Sequence, residues 1–189
     1  AIASCPDIEK IHLIAHSRGT DVLMTALREL NLEYRGAGKQ TRSELKLGNL
    51  ILAAADLDFE VTSQRITAEL LPLIPERMTV YVSATDRAVG IANLLFGSKR
   101  RIGQLRWTDL TPEQRKALEA ISQMQIIDAR VNTGFLGHSY FHESPAVSSD
   151  LILLLRDNRG PGAENGRPLI KRQESFWEIE DKYLQGAGR

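Results

Sequence analysis

Ile11-His12-Leu13-Ile14-Ala15-His16-Ser17-Arg18-Gly19-Thr20 is the stretch whose reading decides the fold. An apolar strand runs into a sharp turn that carries a serine, and an amphipathic run leaves the turn. This is the layout of a nucleophile elbow, in which the serine Oγ is lifted above the C-terminal edge of a parallel sheet. Such a turn is cramped, so small residues belong two positions before and after the serine. Gly19 meets that need fully and Ala15 does so with one methyl to spare. Residues 21–30 read as the helix, with Val22, Leu23, Ala26, Leu27 and Leu30 on one face. The helix N-terminus directs backbone N–H groups toward the serine, where they favour a developing oxyanion. The alternative is an ordinary strand–turn–helix whose serine only caps the helix. His16 reads as a residue that shapes the turn, because a base must face the serine from another loop.

Outward from this motif, strand and helix alternate, which argues for a mostly parallel sheet. Tyr34 to Ser43 reads as a polar loop. Leu47 to Ala55 reads as a buried strand ending at Asp56, and Asp58 starts a helix that Pro72 and Pro75 end. Met78 to Ala84 is the third strand. Thr85-Asp86 follows it, then a helix to about Leu95. Thr111-Pro112-Glu113-Gln114 carries a capping box with proline at the first helical position. Gln125 to Val131 reads as the last strand. Ser144-Pro145 opens a final helix with Val147, Leu151, Leu154 and Leu155 toward the sheet. These elements divide the chain into residues 1–156, an α/β body read from the nucleophile strand onward, and residues 157–189. Within the latter, Asp157 to Pro168 reads as a linker, and Phe176 and Trp177 anchor a C-terminal extension on the body.

Composition narrows the function. The chain has 189 residues, 42% hydrophobic and 25% charged, with 24 Lys+Arg against 24 Asp+Glu. The balance gives no global field toward nucleic acid or an anionic membrane. Lys99-Arg100-Arg101 is a short basic run of the kind a solvated loop carries. Apolar runs are too short for a membrane span. Cys5 is the single cysteine, so neither an intrachain disulfide nor a multi-cysteine metal site is available. Pro6 follows it and no strand precedes it, which argues against a nucleophilic role. No signal peptide is visible, so the default compartment is the cytoplasm. The elbow strand arrives almost at once after Ala1, and the chain lacks an initiator methionine. The expectation is therefore that the early strands lie in a segment upstream, and that this chain alone self-associates or pairs with that segment along its open strand edge.

A serine needs a base, and the base needs an orienting acid. In open α/β sheets such groups gather at the carboxyl ends of the strands. Ser17 ends the first strand, Asp56 the second and Asp86 the third, and His138 lies in Gly137-His138-Ser139-Tyr140 after the fourth. The order Ser, Asp, His is that of the hydrolases with a serine elbow and not those of chymotrypsin or subtilisin. His138 is the preferred base, since Gly134 and Gly137 let its loop bend over the site. His142 is the weaker candidate because it nears a helix start, and His12 lies within the first strand, where a structural role fits. Asp86 is the preferred acid and Asp56 the alternative; Asp58 reads as the cap of its own helix.

These residues resemble the α/β-hydrolase superfamily, and more closely a bacterial group described as alpha/beta hydrolase of unknown function (domain of unknown function 900). The resembling stretches are Ile11 to Gly19, Leu52-Ala53-Ala54-Ala55-Asp56-Leu57-Asp58, Tyr81-Val82-Ser83-Ala84-Thr85-Asp86-Arg87-Ala88 and Phe135-Leu136-Gly137-His138-Ser139-Tyr140-Phe141. They cover most of residues 8–156 in the expected order. The resemblance implies an α/β fold of the hydrolase type, a mostly parallel sheet with helices on both faces. It also implies a serine hydrolase with Ser17 as nucleophile, His138 as base and Asp86 as acid, acting without metal or organic cofactor. The Arg18 backbone N–H is the oxyanion donor that can be assigned; the loop giving a second one is absent from the chain. The substrate expected is a small acyl ester. A non-catalytic module retaining the fold, and an acyltransferase using the same triad, are the competing functions.

Overall fold

Among the described residues five strands run parallel and one runs against them, an arrangement that follows from the way apolar strands alternate with helical crossovers. The structure is a computed structural model that describes residues 5–58, 69–83, 102–132 and 139–186. Its strands are β1 (Ile11–His16), β2 (Leu47–Ala53), β3 (Arg77–Val82), β4 (Met124–Arg130), β5 (Ile170–Gln173) and β6 (Phe176–Glu180). They form one sheet in the order β1-β2-β3-β4-β6-β5. The helices are α1 (Gly19–Gly36), α2 (Thr41–Leu45), α3 (Pro112–Glu119), α4 (Tyr140–Glu143), α5 (Pro145–Asp157) and α6 (Tyr183–Gly186).

Strand periodicity divides the core in two. Leu50, Leu52, Met78, Val80, Ile126 and Phe176 point to one face, where Met24 and Leu27 of α1 and Leu118 of α3 join them. Ile51, Tyr81, Ile127 and Ile179 point to the other, against Tyr140 of α4 and Val147 and Leu154 of α5. Helices thus cover both faces, as a mostly parallel sheet requires. No helix among the described residues is long and apolar enough to cross a membrane.

Several sequence expectations are revised. The buried residues of α1 are Thr20, Met24, Leu27 and Asn31, while Val22 is 72% exposed. The helix phase is set at its two ends by polar contacts that an apolar count misses. Thr20 Oγ1 donates to the Ser17 carbonyl at 2.6 Å, and Thr41 Oγ1 donates to Asn31 Oδ1 at 2.7 Å. Residues 34–36 continue α1, and α2 takes the last three residues of the expected loop. The Thr111 cap closes a capping box with Gln114 as the motif predicts. Residues 59–68, which hold most of the helix expected after Asp58, and residues 84–101, with the Lys99-Arg100-Arg101 run, lie outside the described residues.

The largest revision concerns the C-terminus. Gln125 to Val131 is not the last strand, because β5 and β6 extend the sheet and β6 pairs parallel with β4. Nor is the stretch before them only a spacer. Arg167 is completely buried, and its guanidinium makes two bonds to the equally buried Asp150 carboxylate of α5, at 2.9 and 2.7 Å. Tyr81 and Tyr183 donate their hydroxyls to the same carboxylate at 2.5 and 2.6 Å. One carboxylate therefore ties β3, α5, α6 and residue 167 together. A Gly/Pro/Asn-rich composition signals turns, and it hid this single buried cation.

Candidate active site

The C-terminal ends of β1 to β4 lie side by side along one edge of the sheet, and the candidate residues follow those ends in strand order. Ser17 comes first. Its φ is +52°, in the left-handed region that a residue with a Cβ enters at a cost of about 1–2 kcal/mol. Two bonds hold the turn. The Ser17 N–H donates to the Ala53 carbonyl at the end of β2 at 3.0 Å, and the Ser17 carbonyl accepts the Thr20 N–H at 3.0 Å. The helix cap is Arg18, with no side-chain capping bond, so the capping-serine alternative is not what forms here. Ala15 is buried, as a small residue before the turn should be. Gly19 is another matter: a Cβ placed there would meet nothing within 4 Å, so crowding is not what this position demands.

Asp56 lies beyond β2, is almost wholly buried, and receives Arg18 Nη1 on Oδ2 at 3.3 Å. The Arg18 side chain itself is 67% exposed. The alternative acid is thus next to the elbow and engaged by the residue after Ser17. Asp86 and His138 lie outside the described residues, in segments that begin just past β3 and β4.

The remaining histidines sort by position. His12 stands at the opposite end of β1 from Ser17, and its Nδ1 accepts the Asn49 backbone N–H at 3.0 Å. Burial first, and then the Lys10 cation, lower its pKa, against a smaller upward pull from Glu76. A neutral, hydrogen-bonded ring is the structural role expected of it. His16 stacks on Phe141, ring centroids 4.4 Å apart and 28° from parallel. His142 meets the edge of Phe141 at 4.7 Å.

Two residues that sequence reasoning did not assign a role stand out beside these. Tyr140, completely buried, accepts the Ala54 N–H on its hydroxyl at 2.9 Å and donates to the Tyr81 carbonyl at 2.8 Å. With Phe141 against His16, the chain after β4 has by this point returned across the sheet to the ends of β2 and β1. The signal was present in Gly137-His138-Ser139-Tyr140-Phe141, where a Tyr-Phe pair begins two residues after the candidate base.

Farther along the same edge is a cavity of about 660 Å³ lined by Trp107, Asp128, Arg130, Asn132, Arg172 and Phe176, among others. Arg130 holds the buried carboxylates of Asp128 and Glu178 at 3.0 and 2.9 Å, and Arg172 pairs with Glu178 as well. Ser17 is not among its lining residues. No group of three or more His, Cys, Asp or Glu side chains that could hold a metal occurs among the described residues.

The model of the family described as "Alpha/beta hydrolase of unknown function (DUF900)" matches residues 1–156. No curated protein and no solved structure matches the chain.

Proposed function

The chain belongs to this alpha/beta hydrolase family, and from that premise we propose that it is a serine hydrolase acting on small carboxylic esters through an acyl-enzyme. The observation that carries the reading is Ser17 itself, a non-glycine residue held at positive φ between a parallel strand and an 18-residue helix. Strain of this kind persists where the surrounding structure over-determines it, and at an elbow it serves to present the nucleophile.

In this reading Ser17 Oγ attacks the acyl carbonyl while His138 takes its proton. The tetrahedral oxyanion collapses, His138 returns the proton to the leaving alcohol, and water repeats the cycle to release the acid. Asp86 holds the imidazole in the correct tautomer and stabilises the imidazolium. The Arg18 backbone N–H and the N-terminal end of α1 face the oxyanion. No metal or organic cofactor enters these steps. The place of His138 in the sequence, after β4 and last in the order Ser, Asp, His, supports it as the base.

The test is labelling with a fluorophosphonate. Covalent capture at Ser17, identified by peptide mass, supports the enzyme; an unlabelled Ser17 in folded protein overturns it in favour of a module that keeps the fold without the chemistry. The choice of acid has its own test. Asp86→Asn should lower kcat by roughly 10³–10⁴, because an amide neither fixes the tautomer nor stabilises imidazolium. Asp56→Asn should cost less, since its carboxylate already faces Arg18. A larger loss from the Asp56 change, measured on p-nitrophenyl butyrate, reverses the assignment.

A further inference from the structure

We propose that the cavity at the C-terminal ends of β4 and β6 binds a small aryl carboxylate. Ser17 does not line it, so this inference stands apart from the hydrolase reading. Alternate residues of a strand share a face, so Ile126, Asp128 and Arg130 of β4 lie beside Phe176, Glu178 and Glu180 of β6, in register. That face is apolar at Ile126 and Phe176, which belong to the core with Leu118. One step further along both strands it carries two buried carboxylates side by side, Asp128 and Glu178. Like charges on neighbouring strands repel, so they need cations close by. Arg130 supplies the first, bonding Asp128 from Nε at 3.0 Å and meeting Glu178 from Nη1 at 2.9 Å. Arg172 of β5 supplies the second, from Nε to Glu178.

These bonds leave donors over. Among the described residues, Nη2 of Arg130 and both Nη groups of Arg172 make no hydrogen bond, and the two side chains are 59% and 49% exposed beside the cavity. Arg106 lines the same cavity and makes no ion pair among the described residues. Three guanidiniums thus surround two carboxylates, and one positive charge has no counterpart among the described residues. A network that only held the sheet together would be matched in charge; surplus guanidinium donors around a void suit an anion. The planar fork of an arginine fits the two oxygens of a carboxylate. A surplus of one charge favours such a monoanion over a phosphate monoester, which carries close to two. The aryl part follows from the rest of the lining. The Trp107 and Phe176 rings stand 5.9 Å apart and 60° from parallel, and the Arg115 guanidinium lies over the Trp107 ring at 5.4 Å. Rings fixed in this way offer an apolar wall to a flat ligand. The cavity volume of about 660 Å³ is that of a small-molecule site.

The experiment titrates the protein with phenylacetate, phenylacetamide, acetate and phenyl phosphate. Binding is read by tryptophan fluorescence and by calorimetry. Trp107 is the reporter at the cavity, since Trp177 lies in the core of the opposite face. Arg106→Gln is the test variant. The bonds of Arg106 to Asp109 run through its backbone N–H and carbonyl, so the turn keeps them when the side chain changes. Arg35→Gln, on α1 and outside the cavity lining, controls for a general loss of positive charge. Phenylacetate is expected to saturate, and each of the other three to bind more weakly. Arg106→Gln should weaken phenylacetate by about 10-fold or more and Arg35→Gln by less than about twofold. No saturation by roughly 10 mM phenylacetate overturns the proposal. So does phenylacetamide or acetate binding as tightly, which would remove the role of the charge or of the ring. Tighter binding of phenyl phosphate overturns the choice of a monoanion. Equal weakening in both variants would show diffuse surface charge in place of a site. Should Arg106→Gln fail to fold, Arg172→Gln decides between the same outcomes, because Arg130 still pairs with Glu178 in it.

Discussion

Ser17→Ala is expected to abolish ester hydrolysis, lowering kcat by about 10⁴ or more, while the protein folds as before. The two halves of this expectation have separate physical grounds. The rate falls because the variant has no oxygen to acylate, and loss of any member of a cooperating triad removes nearly the whole covalent route. The fold survives because the turn is held by backbone groups. The Ser17 N–H and carbonyl bond Ala53 and Thr20, and the serine side chain does not cap α1. Alanine keeps the Cβ, so it keeps the strain at φ +52°. Ser17→Gly separates strain from chemistry. It should be equally inactive yet more stable by about 1 kcal/mol, because glycine enters the left-handed region without the Cβ penalty. Turnover of p-nitrophenyl butyrate and urea unfolding of the three proteins measure both quantities. Near wild-type turnover by Ser17→Ala would sink the nucleophile assignment. A Ser17→Gly variant less stable than wild type would show that the elbow carries no releasable strain.

What the sequence made legible follows from the kind of information local patterns hold. The elbow was readable because strand, small residue, serine and glycine crowd into ten positions, and the structure turns the chain there as the motif requires. Strands β2, β3 and β4 were readable because both their faces are largely buried, which makes their sequences predominantly apolar. Strand β5 was missed for the opposite reason: every residue from Ile170 to Gln173 is exposed, so no pattern marks it. Strand β6 was read only as two anchoring aromatics, since Glu178 interrupts its apolar run. That glutamate is buried all the same, held by Arg130 and Arg172 from other parts of the chain. The phase of α1 failed similarly. Thr20 and Asn31 turn inward because specific polar partners await them, the Ser17 carbonyl and the Thr41 hydroxyl, and a count of apolar residues registers neither. In the candidate site the same limit applies. The positions of Ser17 and Asp56 just past strand ends were legible from the apolar runs before them, whereas the bridge from Tyr140 to Ala54 and Tyr81 depends on which strands become neighbours.

The second large effect is on stability and comes from the Asp150 carboxylate, far from Ser17 in the sequence. Asp150→Ala should destabilise the protein by about 3–5 kcal/mol, a large part of the total stability of most domains. The reason is what it leaves behind. Arg167 is fully buried and its guanidinium bonds the Asp150 carboxylate twice, so truncation strands a buried guanidinium without that counter-charge. Tyr81 and Tyr183 lose their common acceptor at the same time. Replacing both ends together, with Asp150→Leu and Arg167→Met, should cost much less than Asp150→Ala, because no buried charge is then left uncompensated. Midpoints of urea unfolding decide the matter: a loss below about 1 kcal/mol for Asp150→Ala would mean that Arg167 finds water or another partner. The tyrosines add a pH signature. Burial first, and then the neighbouring Asp150 charge, raise both phenols above their ordinary value in the folded protein. The unfolded chain releases those protons near pH 10 while the folded chain keeps them. The stability they confer is therefore fully present below about pH 10 and is lost as pH rises beyond it. In Tyr81→Phe that alkaline decline should be shallower than in wild type, and an unchanged slope would show that the phenol ionises as readily in the folded protein as in the unfolded one.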